Sequence, residues 1–196
     1  MDSSRAGRIG IVPVGEVPSL VPKIIAAHVA GYLNLEAQVL PPITLPVEAL
    51  DRRRMQYDAG KILTALAARP LSGHRKLVGV VAVDIGLPIF THVLGEAQQG
   101  GTWAVVSLFR LQAGHDGPPA VESATAYERA AKIALHEIGH LFNLAHCDDT
   151  RCLMHFSGGL ADLDRLPIDY CRYCRTFFAE ALNADGRRPA PTGERC

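Results

Sequence analysis

A chain of 196 residues, 48% hydrophobic and 20% charged, is long enough to bury a substantial core, as one domain or as two lobes sharing a cleft. The 20 Lys and Arg residues balance the 20 Asp and Glu residues, and a formal net charge of zero gives no general electrostatic reason to expect nucleic acid or an anionic membrane as partner. No stretch from the polar start at Met1 onward has signal-peptide design or approaches the roughly 18 apolar residues of a membrane span, so a cytoplasmic, reducing location is expected.

Arg8 to Val14 is β-rich and ends at Pro13 and Gly15, as a first strand would. Pro18 to Leu33 places Leu20, Ile24, Ile25, Val29 and Leu33 at helical recurrence. Glu36 to Ile43 reads as a second strand, its far end pushed to an edge or turn by Pro41 and Pro42. Leu50 to Ala68 reads as a helix stopped by Pro70, with Arg52, Arg53 and Arg54 on its solvated face. Leu77 to Ile85 is almost continuously apolar and suits a strand buried on both faces of a parallel sheet. A loop containing Gly86, Pro88 and Gly95 follows, then a clear strand from Thr102 to Leu111. Beyond a loop through Gly114 and Pro119, Ser123 or Thr125 can cap a helix running to about Leu141. The last predicted element is a helix around Arg172 to Leu182, before a Pro- and Gly-rich tail from Asp185 that is expected to fray. Alternating strands and helices in the first half predict an α/β layer.

The capped helix contains His136-Glu137-Ile138-Gly139-His140. Histidines four residues apart project from one helix face and can share a single zinc ion, with Glu137 pointing close to the same spot. His146 follows six residues later. On a continued helix it would lie about 15 Å along the axis from His136, at roughly 1.5 Å per residue, and could not reach the ion. The helix must therefore stop and turn back. Asn143, between His140 and His146, is a residue that tolerates at small cost the left-handed backbone that ends many helices. Three histidines leave the fourth position of tetrahedral zinc to water, the mark of a catalytic site, and Glu137 is placed to take that water's proton.

Cys147-x4-Cys152 and Cys171-x2-Cys174 are two chelating pairs separated by 18 residues. In a reducing compartment cysteines are better read as metal ligands or free thiols than as disulfides, and four thiolates so spaced are the usual make-up of a closed structural zinc site. Cys196, alone at the end, reads as a free thiol. Neighbouring His146 and Cys147 would then serve different metals.

HEIGHLFNLAHC, CLMHFS and CRYC together resemble the archaemetzincins, a metzincin branch of zinc peptidases with an HExxHxxGxxHC-x4-CxM…CxxC signature. GRIGIVPVG, RRRMQYDAGKIL and VVAVDIGLPIF…GEAQQGGTWAVVSLFRL are also similar to the family, so the resemblance covers residues 8–178. Asn143 replaces a glycine of the signature, which bears on the course of the loop and leaves the ligands intact.

The resemblance implies a metzincin-like α/β fold. Its upper lobe, residues 1–143, would hold a twisted, mixed, mostly parallel sheet and the active-site helix, and a small zinc-stapled lower lobe, residues 144–196, would hold the C-terminal helix. It further implies two zinc ions: a catalytic one on His136, His140 and His146, with Glu137 as general base, and a structural one on Cys147, Cys152, Cys171 and Cys174. Met154, in isolation ordinary core filler, would form the methionine turn beneath the catalytic metal. Thr102 to Leu111 would be the cleft-edge strand that an extended peptide joins, and the specificity pocket would lie near His155, Phe156 and Ser157. The expected activity is zinc-dependent hydrolysis of peptide bonds in a peptide or protein substrate by a monomer. Two alternatives share these residues: a zinc-containing peptide-binding module with little or no catalysis, against which the intact Glu137 argues, and a zinc hydrolase of non-peptide amides.

Overall fold

Strand β1 (Ile9–Pro13), helix α1 (Leu20–Leu33) and strand β2 (Ala37–Val39) open the fold. A single 3-10 turn (Val47–Ala49), strands β3 (Leu50–Asp51) and β4 (Gln56–Asp58) and helix α2 (Ala59–Ala67) follow. Next come strands β5 (Lys76–Val81), β6 (Ile85–Leu87), β7 (Phe90–Val93), β8 (Gly95–Ala97) and β9 (Trp103–Ser107), then helices α3 (Ala124–Leu141), α4 (Leu160–Arg165) and α5 (Arg172–Arg187). These elements belong to a computed structural model that describes residues 8–69, 73–111 and 123–187. The expected loop through Gly114 and Pro119, the end of the tail and Cys196 lie outside the described residues.

The main sheet has the order β2-β1-β5-β9-β8, with three parallel pairings and β8 antiparallel at one edge. It is the mixed, mostly parallel sheet that the resemblance implies. β5 is buried at every residue, as its unbroken apolar run requires. Val78 and Val80 face a core shared with α1 and α3, while Leu77 and Val81 face Ile62 and Leu66 of α2 on the other side. The first core does not stop at α3: Leu144, Leu153, Met154, Tyr170 and Phe178 belong to it, so the Cys-rich segment packs onto the same hydrophobic centre. Among the described residues no helix is long and apolar enough to cross a membrane.

Three expectations need correction. Leu50 to Ala68 is not one helix: the Asp51 carboxylate accepts from the N–H groups of Arg53 and Arg54, Met55 adopts a left-handed φ of 51°, and only Ala59–Ala67 is helical, capped by Asp58. Arg54 accordingly lies on no helix face; its guanidinium donates to the carbonyls of Leu87, Phe90 and Thr91 and ties down the β6–β7 hairpin. The stretch read as a loop from Gly86 to Gly95 contains β6, β7 and the start of β8, and a second sheet forms in the order β3-β4-β6-β7. Finally, β9 lies between β5 and β8, so the edge of the main sheet on the cleft side is β8 rather than the strand from Thr102 to Leu111.

Helix α3 starts as predicted, with the Ser123 hydroxyl accepting from the Ala126 N–H at 3.1 Å. Its far end is fixed to the sheet by Lys76, whose buried ammonium donates to the carbonyls of Leu141 and Gly101 at 2.8 and 2.9 Å and lies over the Phe142 ring. Arg129, in the second turn of α3, grips Asp164 of α4 with two N–H groups and holds that short helix in place.

Candidate metal and catalytic site

Asn143 takes the predicted left-handed conformation, with φ 67°, and turns the chain back immediately after α3. The reversal brings His146 to the face of the helix that presents His136 and His140, their ring centroids 4.7 to 5.3 Å apart. One nitrogen from each ring lies within 4.8 Å of the others. The His136 Nδ1–H donates to the Leu153 carbonyl at 2.7 Å and the His140 Nδ1–H to the Leu144 carbonyl at 2.8 Å. In neutral rings both Nε2 atoms are therefore lone-pair acceptors, and they face each other at 3.1 Å with no proton to share.

Protonation is a poor remedy for that repulsion. Burial, first of all, pushes the His136 ring down to about 4, with the neighbouring histidines adding to the effect, and burial lowers His140 and His146 as well. A metal cation is the remaining remedy. Zinc–nitrogen bonds of about 2.0 to 2.1 Å at tetrahedral angles set nitrogens about 3.3 to 3.4 Å apart, close to the spacing of these two rings. Neutral imidazoles oriented by carbonyls through the other ring nitrogen are the donor set zinc takes.

Glu137 lies on the same helix, 6% exposed. Its carboxyl is raised well above the ordinary range, chiefly by burial and further by the charge of Glu96. Room for it depends on Gly95 at the start of β8: a β-carbon there would lie 2.6 Å from Glu137 Oε1 and 2.8 Å from Ile133. The carboxylate and the three rings open into a cleft of about 650 Å³, walled on one side by β7 and β8 and on the other by Phe156 to Gly159 and Leu163. Phe156 and Ser157 thus line the cleft as expected, while His155 is engaged elsewhere, donating from Nδ1 to the Cys147 carbonyl.

Beneath the rings, the His155 N–H donates to the Cys152 carbonyl and closes a tight turn that carries Leu153 and Met154. Met154 is fully buried and packs directly against Gly139, where a β-carbon would collide with its sulfur and approach the Tyr170 hydroxyl to 3.1 Å. The Tyr170 hydroxyl in turn donates to the Leu135 carbonyl at 2.6 Å. The turn that carries Met154 is thus a physical floor under the helix.

The four cysteines converge too. Their sulfurs lie within 4.8 Å of one another, and those of Cys147 and Cys171 are 3.8 Å apart. That is far beyond a disulfide bond of about 2.0 Å. It equals the sulfur–sulfur spacing of about 3.8 Å that tetrahedral zinc with bonds of about 2.3 Å imposes. Burial raises the Cys152 and Cys174 thiols, so their ionisation calls for a cation at the centre.

Sequence reasoning missed the cleft's opposite wall: Gly95 and Glu96 of β8, and Gln99, whose amide donates to the same Leu144 carbonyl that orients His140. GEAQQ reads as loop, and only its adjacency to a clear strand signals an edge.

Comparison with known proteins agrees with this geometry. The model of peptidase family M54 matches residues 32–179. The archaemetzincin of Archaeoglobus fulgidus is 35% identical over 167 residues, spanning 85% of this chain and 96% of the relative. The crystal structure of an archaemetzincin from Methanopyrus kandleri superposes with a TM-score of 0.79 at 30% identity, covering 91% of this chain and 97% of the other. A zinc-dependent peptidase from Methanocorpusculum labreanum gives 0.76 at 27% identity, covering 87% and 99%. This chain belongs to peptidase family M54 and is an archaemetzincin-like zinc metallopeptidase.

Proposed function

We propose that the cleft hydrolyses peptide bonds with His136, His140 and His146 holding one catalytic zinc ion and Glu137 acting as general base, while Cys147, Cys152, Cys171 and Cys174 hold a second, structural zinc. The observation that carries this reading is the pair of facing Nε2 lone pairs, 3.1 Å apart, with both Nδ1–H groups committed to carbonyls. We assign the lobes at residue 143: residues 1–143 supply the sheet and helix, and residues 144–196 form a zinc-stapled support for the loop that delivers His146.

When bound, zinc supplies a Lewis acid for the scissile carbonyl and acidifies water toward neutral pH. Glu137 takes the proton released as water attacks and hands it to the departing amine. Its burial suits it to holding a proton between those steps, because a carboxyl raised toward working pH is a stronger base. β8, as the edge of the main sheet beside the cleft, offers backbone groups along which an extended peptide aligns. Phe156 and Ser157 form the wall on the other side and contact the residues flanking the bond.

The test combines metal analysis with peptide profiling. Purified protein should contain two zinc ions per chain, and Glu137→Ala should abolish cleavage of a peptide library while both zinc ions stay bound. One zinc per chain, or equal cleavage by the variant, would overturn the assignment. Peptide binding without cleavage by either protein would identify a binding module instead.

A further inference from the structure

We infer that Glu96 is the substrate-selecting residue of the cleft, a carboxylate that receives a cationic group of the peptide close to the bond being cut. The inference rests on the peptidase reading for the nature of the substrate and on independent geometry for the recognition.

Glu96 is the middle residue of the edge strand β8, and it lines the same cleft as Glu137 and the three histidines. It sits next to Gly95, which lies against the Glu137 side chain. Its side chain is half-buried, yet among the described residues it makes no hydrogen bond or ion pair. Asp84, by contrast, pairs with Arg110, and the other carboxyl of the cleft without such a partner is Glu137, to which the proposed reaction already gives a role. No Lys or Arg lines the cleft among the described residues, so the protein itself offers Glu96 no counter-charge there.

A partly dehydrated anion without a partner costs stability. Burial accordingly pushes its carboxyl up. A solvated surface acid would carry no such cost. At a cleft wall the cost is recovered when a cation docks, by a charge-assisted hydrogen bond in a setting shielded from water. The surroundings, with Phe90, Val93 and Leu94 on one side and Phe156 opposite, are apolar and suit an aliphatic stem carrying an ammonium head. A peptide α-ammonium and a Lys side chain share this chemistry.

Four matched fluorescent peptides separate these sources: Lys or norleucine at one position, each with a free or an acetylated N-terminus. Their affinities are read by anisotropy on zinc-loaded Glu137→Gln protein, which leaves them uncut, and on the same protein with Glu96→Gln added. One cationic class should bind roughly tenfold tighter than its neutral match, a difference of about 1.4 kcal/mol, and Glu96→Gln should bring the ratio close to one. The class that responds identifies which ammonium is read. Equal binding of all four, a ratio that survives Glu96→Gln, or no binding at all overturns the inference. Thermal unfolding of Glu96→Gln guards against misfolding, because losing an unpaired, half-buried charge should leave the melting temperature equal or higher. Cleavage of the same peptides by the unmodified protein is scored separately. Cleavage with no charge preference overturns the role of Glu96 and leaves the peptidase reading intact; charge-selective binding without cleavage does the reverse.

Discussion

Two backbone positions decide whether the histidines meet, and each sets a small local gain against a local clash. At Gly139, a helix-interior alanine would improve intrinsic propensity by up to about 1 kcal/mol. The added methyl, however, would meet the Met154 sulfur and the Tyr170 hydroxyl, and the hydroxyl cannot retreat without losing its bond to the Leu135 carbonyl. Overpacking of this kind costs about 1 to 3 kcal/mol. Gly139→Ala should therefore be destabilising in urea unfolding, by up to about 2 kcal/mol once the better propensity is set against the overpacking; an unchanged or raised midpoint would show that the floor under the helix yields. Asn143 carries the opposite lesson. With φ at 67°, alanine there should cost about 1 kcal/mol, because its β-carbon crowds the carbonyl in the left-handed region. Glycine, the residue of the family signature, should fall within about 0.5 kcal/mol of Asn, its freedom from strain offset by greater unfolded-state entropy. A series ranking alanine equal to glycine would remove backbone strain as the reason for Asn143.

Among the elements, α3 matters most, and its position depends on both ends. The Ser123 cap fixes one end; the other relies on a cation from a different element, since Lys76 of β5 binds the Leu141 carbonyl and the turn carbonyl of Gly101. Lys76→Met preserves the stem and deletes the head. It should cost about 1 to 3 kcal/mol, because buried carbonyls at the helix end lose a charged donor. It should also weaken zinc binding at the histidines, because the same turn presents Asn143 and His146. A variant that melts lower but binds zinc as before would separate fold support from site support. The Lys76 clamp was not legible from the chain, where Lys76 is simply the polar start of an apolar run. What sequence did reveal was chemistry set by local spacing: the His136 and His140 pair on one helix face, the need for a turn before His146, the two cysteine pairs and a helix cap at Ser123 or Thr125, of which Ser123 is the one used. It failed where three-residue strands carry too few residues for period-two alternation. β6 and β8 contain glycines, and β3 and β4 flank an Asp51 turn that breaks an otherwise helical pattern. Glu96 and the true cleft edge were lost with them.

At the scale of the whole molecule, the two proposed metal sites are joined by more than the peptide bond between His146 and Cys147. The turn from Cys152 to His155 has Cys152 in the tetrathiolate cluster at one end, and its next residue, Leu153, supplies the carbonyl that orients His136. The Leu153 N–H is held by the Asp169 carbonyl, two residues before Cys171, and the Cys147 N–H donates to the Met154 carbonyl at 2.9 Å. Removing one sulfur therefore loosens the support of two of the three histidines: His146 through its neighbour Cys147, and His136 through Leu153. Loss of such outer-shell support typically lowers metal affinity by about 10- to 100-fold. Cys171→Ser should accordingly weaken zinc at the histidine site by at least about tenfold in competition with a chromophoric chelator, although none of its ligands is touched. Cobalt substitution makes the comparison site-specific, because thiolate-bound cobalt absorbs differently from cobalt held by imidazoles. A variant that lost the thiolate bands but kept full affinity at the histidines would show that the shared hydrophobic core, through Leu144, Met154 and Tyr170, holds the loop without the second metal.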